Sequence, residues 1–594
     1  MRRVKTQVLI VGAGGSGLAL TIFLGDLGVD CLTVERHPAT SHLPKAHYIN
    51  QRTMEVFRQH GASDTIYGHG PKRENLQRVR WMTSIGGDGP LDRMKIIAPA
   101  IMGGADAWPA YEGKGAARPT NIPQLRLEPV LAKIAEERGP GRLRFEHELL
   151  SMQQDDKGVL AVVRDSIGGE TFEVECDYLV AADGGRTLGP MLGVEMIGDT
   201  GLGDFYTIWF SADLSGLLDE DDIPMRRVFH PSDPLRVASL LTFGPTRFDR
   251  HSEEWASSFS RSRRMLSDEG AVAISDEEIA EEGLRQLKID VPVTINKVSR
   301  WKLETVVANR FRVGRTILIG DAAHRHPPGG GLGLNSGFQD AHNLAWKLAL
   351  VVKGQAPDVL LDSYETERRP VVASNAEWAM QAMTTAFTCM ASLGVIPGET
   401  PEQTTKRFEL LMSDTPMGAT RRAQMEEVFR VQRVEYVIHD MEMGFTYDRG
   451  AVVDDGSPPA WRDPMGHEYR PTTRPGSRLP HVWLDRGGER VSTHDLAPLG
   501  GFALITDLSG LDWMNAAAKI AADTGISIRT ARIGERGGAT DPSGGWTRLR
   551  EVEDGGCVLV RPDNHVGYRA MGRATNPEAD LRAALGRILG VALV

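Results

Sequence analysis

The chain has few cysteines, no long apolar run and less positive than negative charge. Its four cysteines lie far apart, with neither a CxxC pair nor metal-ligand spacing. This usage argues against a disulfide framework and predicts a reducing, cytoplasmic setting. No apolar run approaches the roughly 18 residues of a transmembrane helix. The formal net charge of −11 argues against a nucleic-acid or anionic-membrane surface.

The N-terminus has charges like those of a signal peptide, because Arg2, Arg3 and Lys5 precede an apolar run. That run, Val8 to Gly12, is interrupted by a glycine cluster, and no small-residue cleavage site follows it. We therefore predict a β-strand there instead of a targeting segment. A chain of 594 residues is expected to form two to four domains, since domains usually contain about 100–200 residues.

Glycine is abundant and is concentrated at strand ends. The stretch VGAGGSG places Gly12, Gly14 and Gly17 in GxGxxG spacing after an apolar strand, and a helix-compatible segment follows. Such glycines permit a tight turn, close approach of a pyrophosphate and close packing of helix on strand. Glu35 ends the next predicted strand, where a carboxylate can accept hydrogen bonds from ribose hydroxyls. Together these features predict a dinucleotide-binding unit; the alternative is a glycine-rich turn without function.

Two later strands also end in charged turns. YLVAADGG places Asp183 at the end of one strand, and RTILIGD places Asp321 at the end of another. The order GxGxxG, then DG, then GD resembles the single-component FAD-dependent aromatic hydroxylases. The stretches AHYINQRTMEVFRQHG, GDAAHRHPPGGGLGLNSGFQDAHNLAWKLALV and LLDSYETERRPVV resemble the phenol 2-monooxygenase and 2,4-dichlorophenol 6-monooxygenase type. The likeness covers nearly the whole chain.

The resemblance implies an α/β architecture with a Rossmann-like FAD-binding domain, an inserted α+β substrate domain, a helical segment and a C-terminal thioredoxin-like domain without redox cysteines. The expected boundaries are 1–190 and 295–390 for the FAD-binding domain, 191–294 with part of 75–120 for the substrate domain, 391–447 for the helical extension, 448–478 for a Pro/Gly-rich linker and 479–594 for the last domain.

The resemblance also implies roles for particular residues. Asp321 would bind the ribityl chain of non-covalently bound FAD, and Asp183 would serve both FAD and the nicotinamide nucleotide. The segment from Pro327 to Asn335 would surround the pyrimidine edge of the isoalloxazine ring, where side chains would obstruct the approach of the ring. The full set of expected FAD-binding residues is Gly12, Gly14, Gly15, Gly17, Glu35, Arg36, Lys45, Ala46, Gln124, Asp183, Asp321, Pro328, Gly331, Gly333, Leu334 and Asn335.

This chain departs from the family pattern after Asp183. There the family often continues to a Ser and then an Arg, whereas this chain has Thr187 to Pro190. The pair His324 and His326 has an alternative interpretation as a metal site, but no third ligand with suitable spacing follows. We therefore predict no metal.

His47 is the candidate catalytic residue, because it occupies the position at which phenol hydroxylases place an acidic or basic group beside the substrate hydroxyl. The alternative is a structural histidine. Trp209 and Met225 are candidate substrate contacts in the inserted segment, and they are equally consistent with ordinary core packing.

The resemblance implies ortho-hydroxylation of a phenol with NADH or NADPH and O2 through a flavin C4a-hydroperoxide. Two alternatives remain: a larger polycyclic, polyketide-like phenol as substrate, or a nucleotide-binding protein without turnover. The expected assembly is a homo-oligomer, a dimer or tetramer.

Overall fold

A computed structural model describes residues 2–139, 141–220, 223–234, 236–260, 274–433, 437–534 and 538–593. In the first part of the chain, the strands are β1 (Arg2–Val11), β2 (Cys31–Val34), β3 (Tyr48–Ile49), β4 (Arg80–Met82), β5 (Lys95–Ile97), β6 (Thr120–Asn121), β7 (Leu143–Arg144), β8 (His147–Gln154), β9 (Val159–Asp165), β10 (Thr171–Ala181) and β11 (Met196–Asp199). The helices there are α1 (Gly15–Asp26), α2 (Gln51–Gln59), α3 (Ser63–Gly68), α4 (Trp108–Glu112), α5 (Gln124–Arg138) and α6 (Leu188–Met191).

The middle part alternates between strands and long helices. Its strands are β12 (Asp204–Ser211), β13 (Met225–Phe229), β14 (Val237–Gly244), β15 (Glu254–Ser260), β16 (Thr294–Lys302), β17 (Thr305–Ala308), β18 (Arg312–Val313), β19 (Thr316–Leu318) and β20 (His324–Arg325). Its helices are α7 (Asp276–Leu287), α8 (Leu332–Val352), α9 (Asp362–Ser392), α10 (Pro401–Met412), α11 (Pro416–Val431) and α12 (His439–Met443).

The last part is a small α/β unit. Its strands are β21 (Trp483–Arg486), β22 (Glu489–Ser492), β23 (Phe502–Thr506), β24 (Ile528–Arg532), β25 (Ala539–Thr540), β26 (Cys557–Val560) and β27 (Val566–Ala570). Its helices are α13 (Leu511–Thr524), α14 (Gly545–Leu549) and α15 (Pro577–Leu589). The sheet order β24-β23-β26-β27 agrees with the expected thioredoxin-like arrangement.

The first sheet brings the glycine turn and the strand-end carboxylates to one edge. Its order is β18-β19-β10-β1-β2-β7, and β19, β10, β1, β2 and β7 run parallel. In register, Val11 lies beside both Val34 and Ala181, and Ala181 lies beside Leu318. The turns after β1, β2, β10 and β19 therefore meet at the carboxyl edge of the sheet, where α/β folds bind nucleotides. The expected α/β fold class is confirmed.

A second sheet lies in the segment expected to hold the substrate. Its order is β16-β12-β15-β14-β13-β4-β5, so strands from the region 75–120 complete it. Because β16 pairs with β12, this sheet continues to Lys302, past the expected boundary at residue 295.

The expected linker, residues 448–478, is fixed against the rest of the protein. Ala451 donates its backbone N–H to Glu367, and Arg478 is fully buried. The last unit shares one continuous hydrophobic core with the first sheet, because Phe502, Trp513 and Leu581 belong to the same buried cluster as the residues of β1. None of the helices in the described ranges combines the length and the hydropathy needed to cross a bilayer.

Candidate functional site

The turn after β1 contains glycines that serve two different physical purposes. Gly12 has φ +108°, and a Cβ there would overlap the carbonyl oxygen of Ala182; a Cβ on Gly17 would overlap the carbonyl oxygen of Gly12. Both positions are therefore closed by the protein itself. A Cβ on Gly14 would meet only Glu128 Oε1, at 3.8 Å, among the described atoms within 4 Å. Gly14 thus leaves room for a ligand at the N-terminus of α1, and the positive end of a helix dipole favours phosphate.

The same turn contacts the long glycine-rich segment. A Cβ on Gly15 would lie 3.0 Å from Leu334 Cδ1, and a Cβ on Gly320 would overlap Ser16 Oγ. Close packing of α1 on α8 therefore brings together residues about 300 positions apart. Leu334 is half-buried at this contact.

The strand-end carboxylates differ in how many hydrogen bonds they already accept from the protein. Glu35 Oε2 accepts the Ala13 N–H at 2.9 Å. Asp183 accepts three backbone N–H groups, from Gly185, Thr187 and Leu188, at 2.8–3.0 Å, so its carboxylate stabilises its own turn. Asp321 is exposed and makes no hydrogen bond to the described residues. Of the three, Asp321 has the carboxylate most available to a polyol. Arg36 is exposed beside Glu35.

Most glycines of the 329–333 loop are required by the protein's own packing. A Cβ on Gly329 would lie 2.8 Å from Ala379 O, one on Gly330 2.8 Å from Trp378 Cζ3, and one on Gly331 3.0 Å from Tyr48 Cδ1. Only the position at 333 faces open space, with His326 Cβ 3.9 Å away. Gly333 is therefore the glycine of this loop that leaves space on its Cβ side, whereas the preceding glycines fit against α9 and Tyr48. Pro328 is exposed.

Asn335 ties this loop to the segment that carries His47. Its Oδ1 accepts the Asn50 N–H at 2.9 Å, and its Nδ2 donates to Tyr48 O at 2.9 Å and Gly331 O at 2.7 Å. The side-chain amide is thus committed to backbone partners. A contact between Asn335 and a ligand would come from its backbone.

His47 immediately precedes the short strand β3. The short strands β3 and β6 pair Tyr48 with Asn121, and His47 Nδ1 lies 2.5 Å from Asn121 Oδ1. Nδ1 therefore donates to the amide oxygen, which leaves Nε2 as the acceptor. Burial lowers the pKa of His47 to about 4, against the raising effect of the Asn121 hydrogen bond and with a further lowering by the charge of Arg227. The imidazole is neutral at pH 7.

Arg227, on β13, is a residue that the sequence reasoning missed. Its charge contributes to the lowering of the pKa of His47, so Arg227 acts electrostatically on the imidazole. Met225, two residues earlier on the same strand, is buried in a cluster with Tyr48, Leu241 and Phe243. Trp209 donates Nε1 to Glu254 at 2.7 Å, and Glu254 also binds Arg126. Met225 is thus packed as core, and Trp209 is anchored to α5.

Gln124 and the buried Glu128 join three segments of the site. Gln124 N–H donates to Ala46 O at 2.8 Å, and its side chain donates to Glu128 Oε1 at 2.6 Å. Glu128 also accepts the N–H groups of Gly15 at 3.0 Å and Ser41 at 3.1 Å. Burial raises the pKa of Glu128. Lys45, exposed, adds a positive charge nearby. No local pattern signals Glu128, because its partners are distant in sequence.

Comparison with known proteins identifies the family. Residues 5–379 match the family described as FAD binding domain, and residues 472–592 match the aromatic-ring hydroxylase C-terminal family. The chain belongs to this family of FAD-binding aromatic-ring hydroxylases. The resemblance inferred from the motifs is confirmed, and the protein is an FAD-dependent aromatic hydroxylase.

Named relatives cover almost the whole hydroxylase. Phenol 2-monooxygenase of Pseudomonas sp. (strain EST1001) is 34% identical over 97% of this chain and 92% of its own length. Tetracenomycin B2 monooxygenase-dioxygenase of Streptomyces olivaceus is 35% identical over 99% of each chain. The crystal structure of the flavin-dependent monooxygenase PieE in complex with FAD and substrate matches with a TM-score of 0.89 and 35% identity, over 99% of this chain and 100% of that one.

The residues of this hydroxylase fit FAD. The open space at Gly14, at the N-terminus of α1, suits the pyrophosphate, and the free carboxylate of Asp321 suits the ribityl hydroxyls. The space at Gly333 suits the close approach of a flat ring to the backbone. In the described ranges, no three His, Cys, Asp or Glu side chains are grouped so that they could hold a metal ion.

Proposed function

We propose that this hydroxylase inserts oxygen ortho to the hydroxyl group of a phenol, with NADH or NADPH and O2 as co-substrates. The observation that carries the proposal is the neutral imidazole of His47, on which the charge of Arg227 acts, next to Tyr48, which packs on the glycine loop. Bound FAD would supply the redox chemistry, by accepting a hydride and activating O2 for transfer to the ring.

The protein has to make the phenol more nucleophilic. A phenol has a pKa near 10, as tyrosine does, and is mostly neutral at pH 7. The phenolate carries more electron density at its ortho carbon. His47 Nε2 offers an acceptor for the phenolic proton, and Arg227 offers a positive charge that stabilises the phenolate.

The difference between the pKa of His47 and that of a phenol determines how His47 acts. Its pKa of about 4 lies far below that of a phenol. A gap of about 6 pKa units corresponds to roughly 8 kcal/mol for complete transfer of the proton to His47. His47 therefore assists removal of the phenolic proton by accepting a hydrogen bond, the proton leaves to solvent water, and the Arg227 charge stabilises the phenolate.

The test is His47→Ala, assayed for NAD(P)H oxidation, hydroxylated product and hydrogen peroxide. General-base assistance is worth about 10²–10⁴-fold, so hydroxylation should slow while FAD still binds, and more reducing equivalents should appear as peroxide. The defect should shrink for chlorinated phenols, which ionise unaided. His69→Ala, at an exposed histidine, is the matched control. Equal coupling in His47→Ala and wild type across phenols of different pKa would make His47 structural.

The panel must contain both monocyclic and polycyclic phenols. We propose a monocyclic phenol because of the sequence likeness to phenol 2-monooxygenase. Faster and better-coupled turnover of a polycyclic phenol would favour the alternative substrate class, consistent with the equally similar tetracenomycin relative. Purified protein that is colourless and does not take up added FAD would refute the proposed function altogether.

We also propose a cytoplasmic location and a homo-oligomeric assembly. In the described residues all four cysteines are free thiols and all are buried, which supports a reducing compartment. Light scattering on the purified protein tests the assembly, and a monomeric mass would contradict it.

A further inference from the structure

A buried carboxyl group lies behind the glycine loop without a cation beside it. Glu442 is 1% exposed on α12. Its Oε1 accepts the Tyr48 hydroxyl hydrogen at 2.6 Å, and its Oε2 accepts the Gln51 N–H at 3.3 Å. Within the described ranges it forms no ion pair. Three other buried carboxylates of the protein do have cationic partners: Glu55 pairs with Arg478, Asp340 with Arg368, and Glu367 with Lys347 and Arg561.

Tyr48 links Glu442 to the loop expected to hold the flavin. The Tyr48 ring lies 3.0 Å from the position of a Cβ on Gly331, and the Tyr48 carbonyl oxygen accepts a hydrogen bond from Asn335 at 2.9 Å. Met441 on α12 and Ile438, the residue just before this helix, pack with Leu332, which follows the glycines of the loop. The carboxyl group is thus one aromatic side chain away from the loop.

Glu442 is the titrating group of this cluster near neutral pH. Burial raises its pKa to about 7, against the lowering effect of the hydrogen bonds from Tyr48 and Gln51. Burial also raises the pKa of Tyr48 and of Tyr111 on α4 well above the usual value. Burial lowers the pKa of His439 to about 3. The charged groups acting on the cluster from outside are Arg433 on Tyr111, and Arg478, Lys114 and Glu55 on His439.

We propose that Glu442 takes up a proton from solvent when the flavin at the glycine loop is reduced and releases it on reoxidation. The inference rests on the proposed placement of the flavin at this loop. Two-electron reduction by hydride adds negative charge to the ring, and a second negative charge nearby in a low-dielectric region is costly. The Glu442 carboxylate therefore becomes a carboxylic acid with one proton from water, while the electrons come from NAD(P)H. Glu442 acts through Tyr48 and is a positioning residue.

Proton uptake on anaerobic reduction tests this step. Hydride transfer from NAD(P)H brings its own hydrogen, so protons drawn from a weakly buffered indicator solution report groups such as Glu442. If reduction raises the pKa of Glu442 by about one unit, wild type should take up about half a proton per flavin near pH 7.5. Glu442→Gln should take up almost none. Glu409→Gln, at an exposed glutamate of α10, should behave as wild type.

Two further measurements remain informative if Glu442→Gln does not fold. Tyr48→Phe removes a hydrogen bond to the carboxylate, so the uptake maximum should move to higher pH. In wild type, reduced-minus-oxidised infrared spectra should show a new protonated-carboxyl band. A folded Glu442→Gln variant with wild-type uptake, or absence of the infrared band in wild type, overturns the proposal. A protein that stays yellow with NAD(P)H points instead to failure of the proposed function.

Discussion

Substituting Gly14 separates ligand binding from folding. The backbone of Gly14, with φ −76° and ψ −179°, is one that alanine adopts freely. The nearest described atom to an added Cβ lies at 3.8 Å. Two small effects on stability oppose each other. Alanine reduces the entropy of the unfolded chain by about 0.4–1 kcal/mol, and it is worse than glycine as an N-cap by a similar amount. The flavin-free Gly14→Ala protein should therefore unfold within about 1 kcal/mol of wild type.

Binding of FAD should respond much more strongly. The new methyl group occupies the space through which a pyrophosphate would approach the N–H groups of α1. A hydrogen bond to a charged group contributes about 1.5–3 kcal/mol, so loss of one such bond weakens FAD binding roughly 10- to 150-fold. Quenching of FAD fluorescence on titration measures the Kd, and urea unfolding of flavin-free protein measures the stability.

Gly17→Ala is the matched control for this experiment. A Cβ there would overlap the carbonyl oxygen of Gly12, so α1 has to move away from β1. Overpacking of this kind costs about 1–3 kcal/mol or more, and the flavin-free protein itself should lose stability. Wild-type affinity for FAD in Gly14→Ala would refute the reasoning, because it would mean that no ligand approaches the backbone there.

Three further predictions test other parts of the structure. Asp321→Ala should weaken FAD binding roughly 5- to 150-fold, because unpaired polar groups cost about 1–3 kcal/mol, and it should leave the unfolding of the flavin-free protein unchanged. Asp183→Ala should instead lower the stability of the flavin-free protein, because three backbone N–H groups lose their acceptor. Cys557→Ser should retain wild-type kcat, because burial raises the pKa of this thiol to about 12; a large loss of kcat in folded protein would disprove this. Urea unfolding at pH 8, 7, 6 and 5 should show that the free energy of unfolding falls below about pH 6.5, because the unfolded chain then protonates histidines that stay neutral in the folded chain. Each such histidine lowers the free energy of unfolding by about 1.4 kcal/mol per pH unit, down to its folded pKa. An equal stability at pH 8 and pH 5 would contradict this prediction. The histidines whose pKa burial lowers in this way include His439 and His494, to about 3, and His481 and His565, to about 4.

The edge of the first sheet could be predicted from the sequence because its signals are local. Glycine spacing, a strand and a terminal carboxylate identify each turn separately, and parallel strands bring their carboxyl ends to one side. Sequence reasoning therefore predicted the turns that carry Gly14 and Asp321, and the binding of FAD by these residues stays a prediction. It gave one cause for all the loop glycines, whereas packing against Trp378 and Tyr48 requires two of them.

Contacts between distant segments could not be predicted from the sequence. Tyr48 and Glu442 are 394 positions apart, and Gly15 and Glu128 are 113 apart. No periodicity or motif specifies such pairs, because they result from tertiary packing. The Pro/Gly-rich segment 448–478 is typical of a linker by composition, yet Arg478 within it is buried and paired with Glu55.

The 448–478 segment and the last unit both contact the helix that follows His47. Arg478 Nε donates to Glu55 on α2 at 2.7 Å, and Arg58, on the same helix, binds Asp495 through two hydrogen bonds. Removing one partner of a buried pair leaves an uncompensated charge and costs about 3–5 kcal/mol. Because α2 begins four residues after His47, the docking of the last unit fixes the start of the segment that presents the imidazole. A domain without redox cysteines thus contributes to the site by packing, which requires no thiol.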